Sequence, residues 1–234
     1  MTSARDLLTA IATSEPSRPR LTWYGKDGER VELSGRVLAN TVVKATNLLV
    51  DADLGPGETL LLDLPLHWRA VTWAFAGWTA GAEVAVGGDD RADAVVVVSD
   101  RPERYPTRAR TVVAVPLPAL AMSYPGVLPP GAVDGAADLM THPDALGPVP
   151  PLDLDGIALG PHTTHGQLVS QAEATLGHGP WPARPRVLAA APELRTALTA
   201  SLAIWARDGS VVLTAEPVSC PGSLCDQERV TATL

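Results

Sequence analysis

The chain has 234 residues, with 18 Lys and Arg against 26 Asp and Glu, a formal net charge of −8. Apolar residues make up 46% and charged residues 19%, which excludes wholesale disorder and gives enough chain for one large domain or two small ones. The acidic balance argues against a nucleic-acid groove or an anionic membrane surface as partner.

The opening, MTSARDLLTAIATSEP, has too short an apolar run and too early an acid for a signal peptide. Ser34 to Asp51 reads as a helix with Ser34 as N-cap, because Leu38, Val42, Ala45 and Leu49 recur at spacings of four and three. The Gly55-Pro56-Gly57 turn stops it, and Thr59 to Leu64 (TLLLDL) follows as a buried strand. His67 to Gly81 is a second helix, with Val71, Phe75 and Trp78 on one face. Val84 to Val86, Ala94 to Ser99 (AVVVVS) and Thr111 to Val115 are strands, the last two covered on both faces. The span 116–151 holds nine prolines and reads as a long irregular connection. Beyond it come a strand at Gly156 to Gly160 and a helix from an N-cap at Thr164 to Leu176, with Gly177 just past its end. Arg186 to Ala191 is a strand, Pro192 opens a helix that buries Leu194, Leu198, Ser201, Leu202 and Trp205, and Val211 to Thr214 is a strand. The end, Val230 to Leu234, is extended. Helices alternating with apolar strands predict a single α/β domain over 1–234, a mostly parallel sheet flanked by helices.

Few constellations carry chemistry. The only lysines are Lys26 and Lys44, so any lysine on a phosphate or in a Schiff base is one of these two. Cys220 and Cys225, in CPGSLC, are too few for a disulfide framework or a zinc site; they read as reduced thiols, with a local redox pair as the alternative. His162 and His165, with Asp153 and Asp155 upstream, have the spacing of a two-ligand metal turn but form no H-E-x-x-H. No G-x-S-x-G elbow and no G-x-G-x-x-G after a strand occurs; Gly209-Ser210 opens a strand, and Asp89-Asp90 after Gly87-Gly88 reads as a solvated turn. His67, Trp68, Trp73 and Trp78 either line an acyl or ring pocket or pack against the sheet, the commoner use of tryptophan.

Three blocks in order carry a resemblance. Residues 33–86 run through a helix, the turn and strand Gly55 to Leu62, the helix start His67-Trp68, Ala80-Gly81-Ala82 and a valine-rich strand. ADAVVVVSD (92–100) is an internal strand, and RVLAAAPELRTALTASLAIWARDGSVVLT (186–214) is a strand, helix and strand. Together they resemble the front portion of adenylate-forming (AMP-binding, acyl-CoA synthetase-like) enzymes, within which a short actinobacterial family of this shape is suspected. The fold this implies is that of their N-terminal subdomain.

The same resemblance shows what is missing. The superfamily's phosphate loop, T-S-G-T-T-G-x-P-K between a strand and a helix, cradles ATP phosphates with backbone N–H groups, hydroxyls and a lysine. At its place stands GIALGPHTTHGQLV (156–169), without the glycine-hydroxyl run or a lysine. Thr163 and Thr164 are the remnant that could still donate to an anion at a helix start, or they simply cap that helix. The regions that bind adenine and ribose, and the small domain bearing the catalytic lysine, have no counterpart. The expectation is a degenerate, non-catalytic protein of the cytoplasm, without cofactor or metal, that binds or regulates a partner. A protein partner or self-association would use the face that the rest of such an enzyme covers, unless that face is rewritten as polar. The alternatives are a subunit that completes an acyl-adenylating site with a second chain, and a small metal-dependent hydrolase using His162 and His165.

Overall fold

Runs of leucine and β-branched residues build two sheets, and amphipathic helices lie between them in sequence. The structure is a computed structural model, and it describes residues 2–87, 93–105, 110–177, 181–218 and 223–234. The elements in chain order are α1 (Ala4–Thr13), β1 (Pro19–Tyr24), β2 (Arg30–Ser34), α2 (Gly35–Asp51), β3 (Thr59–Asp63), α3 (Trp68–Ala80), β4 (Glu83–Val86), β5 (Val96–Ser99), β6 (Thr111–Ala114), β7 (Val133–Asp134), β8 (Ile157–Leu159), β9 (Thr163–Thr164), α4 (Leu168–Leu176), β10 (Arg186–Ala190), α5 (Leu194–Ala206), β11 (Ser210–Thr214), α6 (Ser223–Gln227) and β12 (Ala232–Thr233). The α/β class with mostly parallel strands flanked by helices is as the sequence predicts, and the strands form two sheets. The described residues divide into two compact units, each with its own sheet, and the chain passes from one to the other four times: within α2, after Pro65, at the start of α3 and after Gly166.

The first unit takes its residues from 1–39, 66–68 and 167–234. Its sheet has the order β12-β10-β11-β1-β2, parallel except for the β1–β2 hairpin. Helix α1 starts with a capping box: Ser3 Oγ accepts the Asp6 N–H, and an Asp6 carboxylate oxygen accepts the Ser3 N–H at 2.8 Å. It buries Leu7, Leu8 and Ile11. The turn after α5 is fixed by charge. Arg20, only 1% exposed, lies 2.5 Å from Asp208 Oδ1 and donates to the Asp208 and Ser14 carbonyls. Burial pushes the Asp208 carboxyl up, but the Arg20 hydrogen bond and the charges of Arg20, Arg184 and Arg18 outweigh it and hold the group below its ordinary value. His67 is buried with its ring 5.2 Å from that of Trp23, edge to face.

The second unit takes its residues from 40–65 and 69–166. Its sheet has the order β7-β6-β5-β3-β4-β8-β9, and only β9 is antiparallel to its neighbour. Both faces of the central strands are covered, which is why they read as unbroken apolar runs. Leu61, Ala85, Val97 and Val112 pack with Tyr105 and Ala94 on one face. On the other, α3 approaches so closely that a Cβ at Gly77 would stand 2.7 Å from Leu60 Cδ2 and 3.0 Å from Val84 Cγ2. Trp73 and Trp78 are buried, and the Trp78 indole donates to the Ala158 carbonyl at 2.9 Å. Between β6 and β8 the proline-rich span holds one short strand and one 3-10 turn, Asp138–Thr141.

Candidate functional site

Parallel strands leave the second sheet at one edge, and two groups of polar residues meet that edge. Strand order supplies the first. From β3 the chain moves one way to β4, then crosses back over β3 to β5 and on to β6 and β7. The order therefore reverses between β3 and β5, and such switch points open a crevice at the carboxyl ends of the strands. Asp63 and Ser99, the last residues of these two strands, are register partners there.

Asp63 is buried and surrounded by donors. Ser99 Oγ donates to Asp63 Oδ2 at 3.1 Å, and the Tyr105 hydroxyl also donates to this carboxylate. Guanidinium nitrogens of Arg101 and Arg104 lie 3.5 and 3.6 Å from its oxygens. Burial, then the hydrogen bond to Asp63, pushes the Tyr105 phenol up to about 12. Next to it, burial raises the Asp100 carboxyl, and the Asp100 carbonyl accepts the Tyr124 hydroxyl at 3.1 Å. Ser99 is fully buried, and its Oγ also accepts the Arg101 N–H at 3.0 Å. Both hydrogen bonds of this hydroxyl tie strand ends together: it links β3 to β5 and caps the turn at Arg101. The cluster orders the switch point.

The second group is the β8–β9 hairpin. Parallel pairing of β8 with β4 brings its tip to the same edge, two strands or roughly 10 Å from β3. Thr163 and Thr164 stand here, and the structure corrects their setting. They are not at a helix start: they form β9, paired with Leu159 and Ile157, and α4 begins only at Leu168 behind an N-cap at Gln167. Backbone bonds from His165 to Gly156 and from Gly166 to Leu154 continue the hairpin. Ladder pairing across the hairpin outcompetes the local capping preference of threonine. The tip is only Gly160, Pro161 and His162, with Gly160 in the left-handed region at φ +61°. Proline carries no N–H, so at most two backbone donors face an anion at this tip.

The other residues singled out from sequence do not converge. His162 is exposed, whereas His165 is buried with Nε2 3.0 Å from the Gly81 carbonyl. Asp153 accepts the Asp155 N–H in a local turn. Among the described residues, no group of three or more His, Cys, Asp or Glu side chains is placed to hold a metal ion. Lys44 pairs with Asp144 at 2.8 Å and donates to the His142 carbonyl, and Lys26 begins a 3-10 turn. Cys225 is disulfide-bonded, which corrects the reading of reduced thiols there; Cys220 and the Asp89-Asp90 turn lie outside the described residues. Among the described residues, no helix is long and apolar enough to cross a membrane. Sequence reasoning missed Asp63, Ser99 and Tyr105. The available signal was a polar residue closing each of two buried runs, TLLLD and VVVS.

Comparison with known proteins places the fold. No family model matches the chain. The TIGR03089 family protein of Mycobacterium tuberculosis is 33% identical over 149 residues, 61% of this chain and 61% of that protein. An acyl-CoA synthetase from Brucella canis superposes with a TM-score of 0.73 at 16% identity, over 93% of this chain and 44% of its own. The N-terminal subdomain of NpsA from Klebsiella oxytoca superposes with a TM-score of 0.66 at 15% identity, over 100% of this chain and 62% of its own. The chain thus spans between 44% and 62% of the length of these proteins. Its fold is that of the N-terminal subdomain of adenylate-forming enzymes.

Proposed function

We propose that this chain is a degenerate, non-catalytic relative of the adenylate-forming enzymes that works by binding, as a partner or regulator of another protein. The three-residue tip of the β8–β9 hairpin carries this reading. A phosphate loop stabilises a triphosphate by aiming several N–H groups and a lysine at it, and preorganised charge of that kind is worth several kcal/mol at a phosphoryl centre. This tip offers a glycine, a proline and an exposed histidine, and Lys44 is held by Asp144. The switch-point cluster points the same way, since Asp63 accepts from Ser99 and Tyr105 and is paired with Arg101 and Arg104. The scaffold persists, and its polar groups serve the scaffold.

ATP–pyrophosphate exchange tests the reading. The full chain is assayed with Mg-ATP and a panel of short, aromatic and long-chain carboxylic acids. The reading requires exchange no faster than in the enzyme-free blank for every acid. Exchange with any acid that scales with protein concentration contradicts it.

A further inference from the structure

On the five-stranded sheet, strand alternation puts Thr22, Tyr24, Arg30, Glu32, Arg186 and Ser210 on one face. A cleft of about 290 Å³ opens there, with Arg18 and Arg229 also on its wall. Four arginines against two glutamates line it, in a chain of net charge −8. One of those glutamates does not belong to the sheet. Glu228 enters from the segment between α6 and β12, and its side chain is only 3% exposed.

Both oxygens of this carboxylate are gripped. Oε1 takes the Tyr24 hydroxyl and Arg30 Nε, the latter at 2.9 Å, and Oε2 takes the Arg186 guanidinium. The receptor is itself braced: Arg186 also donates to Thr22 Oγ1 and Ser210 Oγ, and Arg30 donates to Glu32 at 2.7 Å and lies over the Tyr24 ring. These donors are fixed by the sheet. The carboxylate is delivered by a five-residue helix and by Arg229 at φ +51°, a left-handed conformation that costs an arginine free energy, while the Glu228 carbonyl accepts from Arg186 Nε and Thr231 is bonded to the Arg186 backbone. A braced set of guanidinium and hydroxyl donors around a desolvated carboxylate is the chemistry by which proteins recognise small organic acids.

We propose that Tyr24, Arg30 and Arg186 form a binding site for a small carboxylate, and that Glu228 is its intramolecular stand-in, displaced when the ligand enters. The site lies wholly in the first unit and is independent of the nucleotide question at the β8–β9 hairpin. Arg30 is exposed and Arg186 half-buried, so the pair is reachable from solvent, and an incoming carboxylate can take over the hydrogen bonds that Glu228 gives up.

Thermal melts of the full chain test this, with wild type, Glu228→Ala and the double variant Glu228→Ala/Arg186→Met. Each is titrated with sodium acetate, propionate, phosphate or chloride at matched ionic strength. Glu228→Ala should melt lower than wild type, and acetate or propionate should restore at least half of the loss with saturation. Wild type should respond to the same carboxylates at about ten-fold higher concentration or more, because Glu228 must first be displaced. The double variant should not respond. A Glu228→Ala protein indifferent to carboxylates overturns the proposal, as does a response that survives Arg186→Met or is matched by chloride. A wild type with no carboxylate-specific shift also overturns it, by showing that Glu228 is a fixed tether. Restoration by phosphate alone overturns the carboxylate assignment. If Glu228→Ala does not fold, Glu228→Gln, which keeps the shape and one acceptor oxygen, is titrated with the same expectations.

Discussion

Asp208, Asp134 and Glu228 show how single carboxylates hold this chain together. Burial pushes all three up, and in each the hydrogen bonds and neighbouring arginines win, so each ends below its ordinary value. At Asp134 the donors are the backbone N–H groups of Tyr124, Ala136 and Ala137, at 2.8 to 3.0 Å. A carboxyl depressed in the folded state stabilises above its unfolded value, near about 4, and the contribution is lost as pH falls through the folded value. Denaturant melts should therefore show stability falling steadily below about pH 5. Asp208→Asn should show a shallower fall than wild type; an unchanged slope would mean that Asp208 is not depressed. The phenols behave oppositely. Tyr105 is raised to about 12, so its neutral form stabilises fully below the unfolded value near about 10, and that stability drains away as pH climbs through 12. Ultraviolet titration should show a last phenolate ionising near 12, absent in Tyr105→Phe.

At the scale of elements, α3 and its sheet make the sharpest packing prediction. Gly77 permits a close approach that any side chain would obstruct, with Leu60 and Val84 directly opposite. Gly77→Val should cost about 1–3 kcal/mol by overpacking, measured by chemical denaturation. A neutral result would mean that the helix stands further off. The helices α2 and α3 were legible in the sequence because their buried residues repeat at three and four: Leu38, Val42, Ala45 and Leu49 are all buried, as are Val71, Phe75 and Trp78. The strands β3, β5, β6, β10 and β11 were legible as apolar runs. The β1–β2 hairpin, α1 and α6 were not read, because each is short or mixed in composition. Thr163-Thr164 misled for a different reason. Its sequence suits a cap, and only the partner strand β8 makes it a ladder. The switch-point cluster was illegible for the same cause at longer range: Asp63 and Ser99 stand 36 residues apart and meet only through the parallel pairing of β3 and β5.

The whole molecule has the fold of the N-terminal subdomain of adenylate-forming enzymes, and its β8–β9 tip is three residues long. Fold and chemistry can part company wherever function resides in a loop set on a stable scaffold. On the reading proposed above, the chain keeps the scaffold and binds no nucleotide at the hairpin. A thermal-shift titration of the full chain with Mg-ATP, AMP and coenzyme A tests this most directly. A ligand at 100 times its Kd would add about 2.7 kcal/mol, or roughly 5–11 °C in Tm for a chain of this size. No saturable shift with any of the three is the predicted result. A saturable rise with ATP or AMP would show that a rebuilt nucleotide site survives, and would contradict the account.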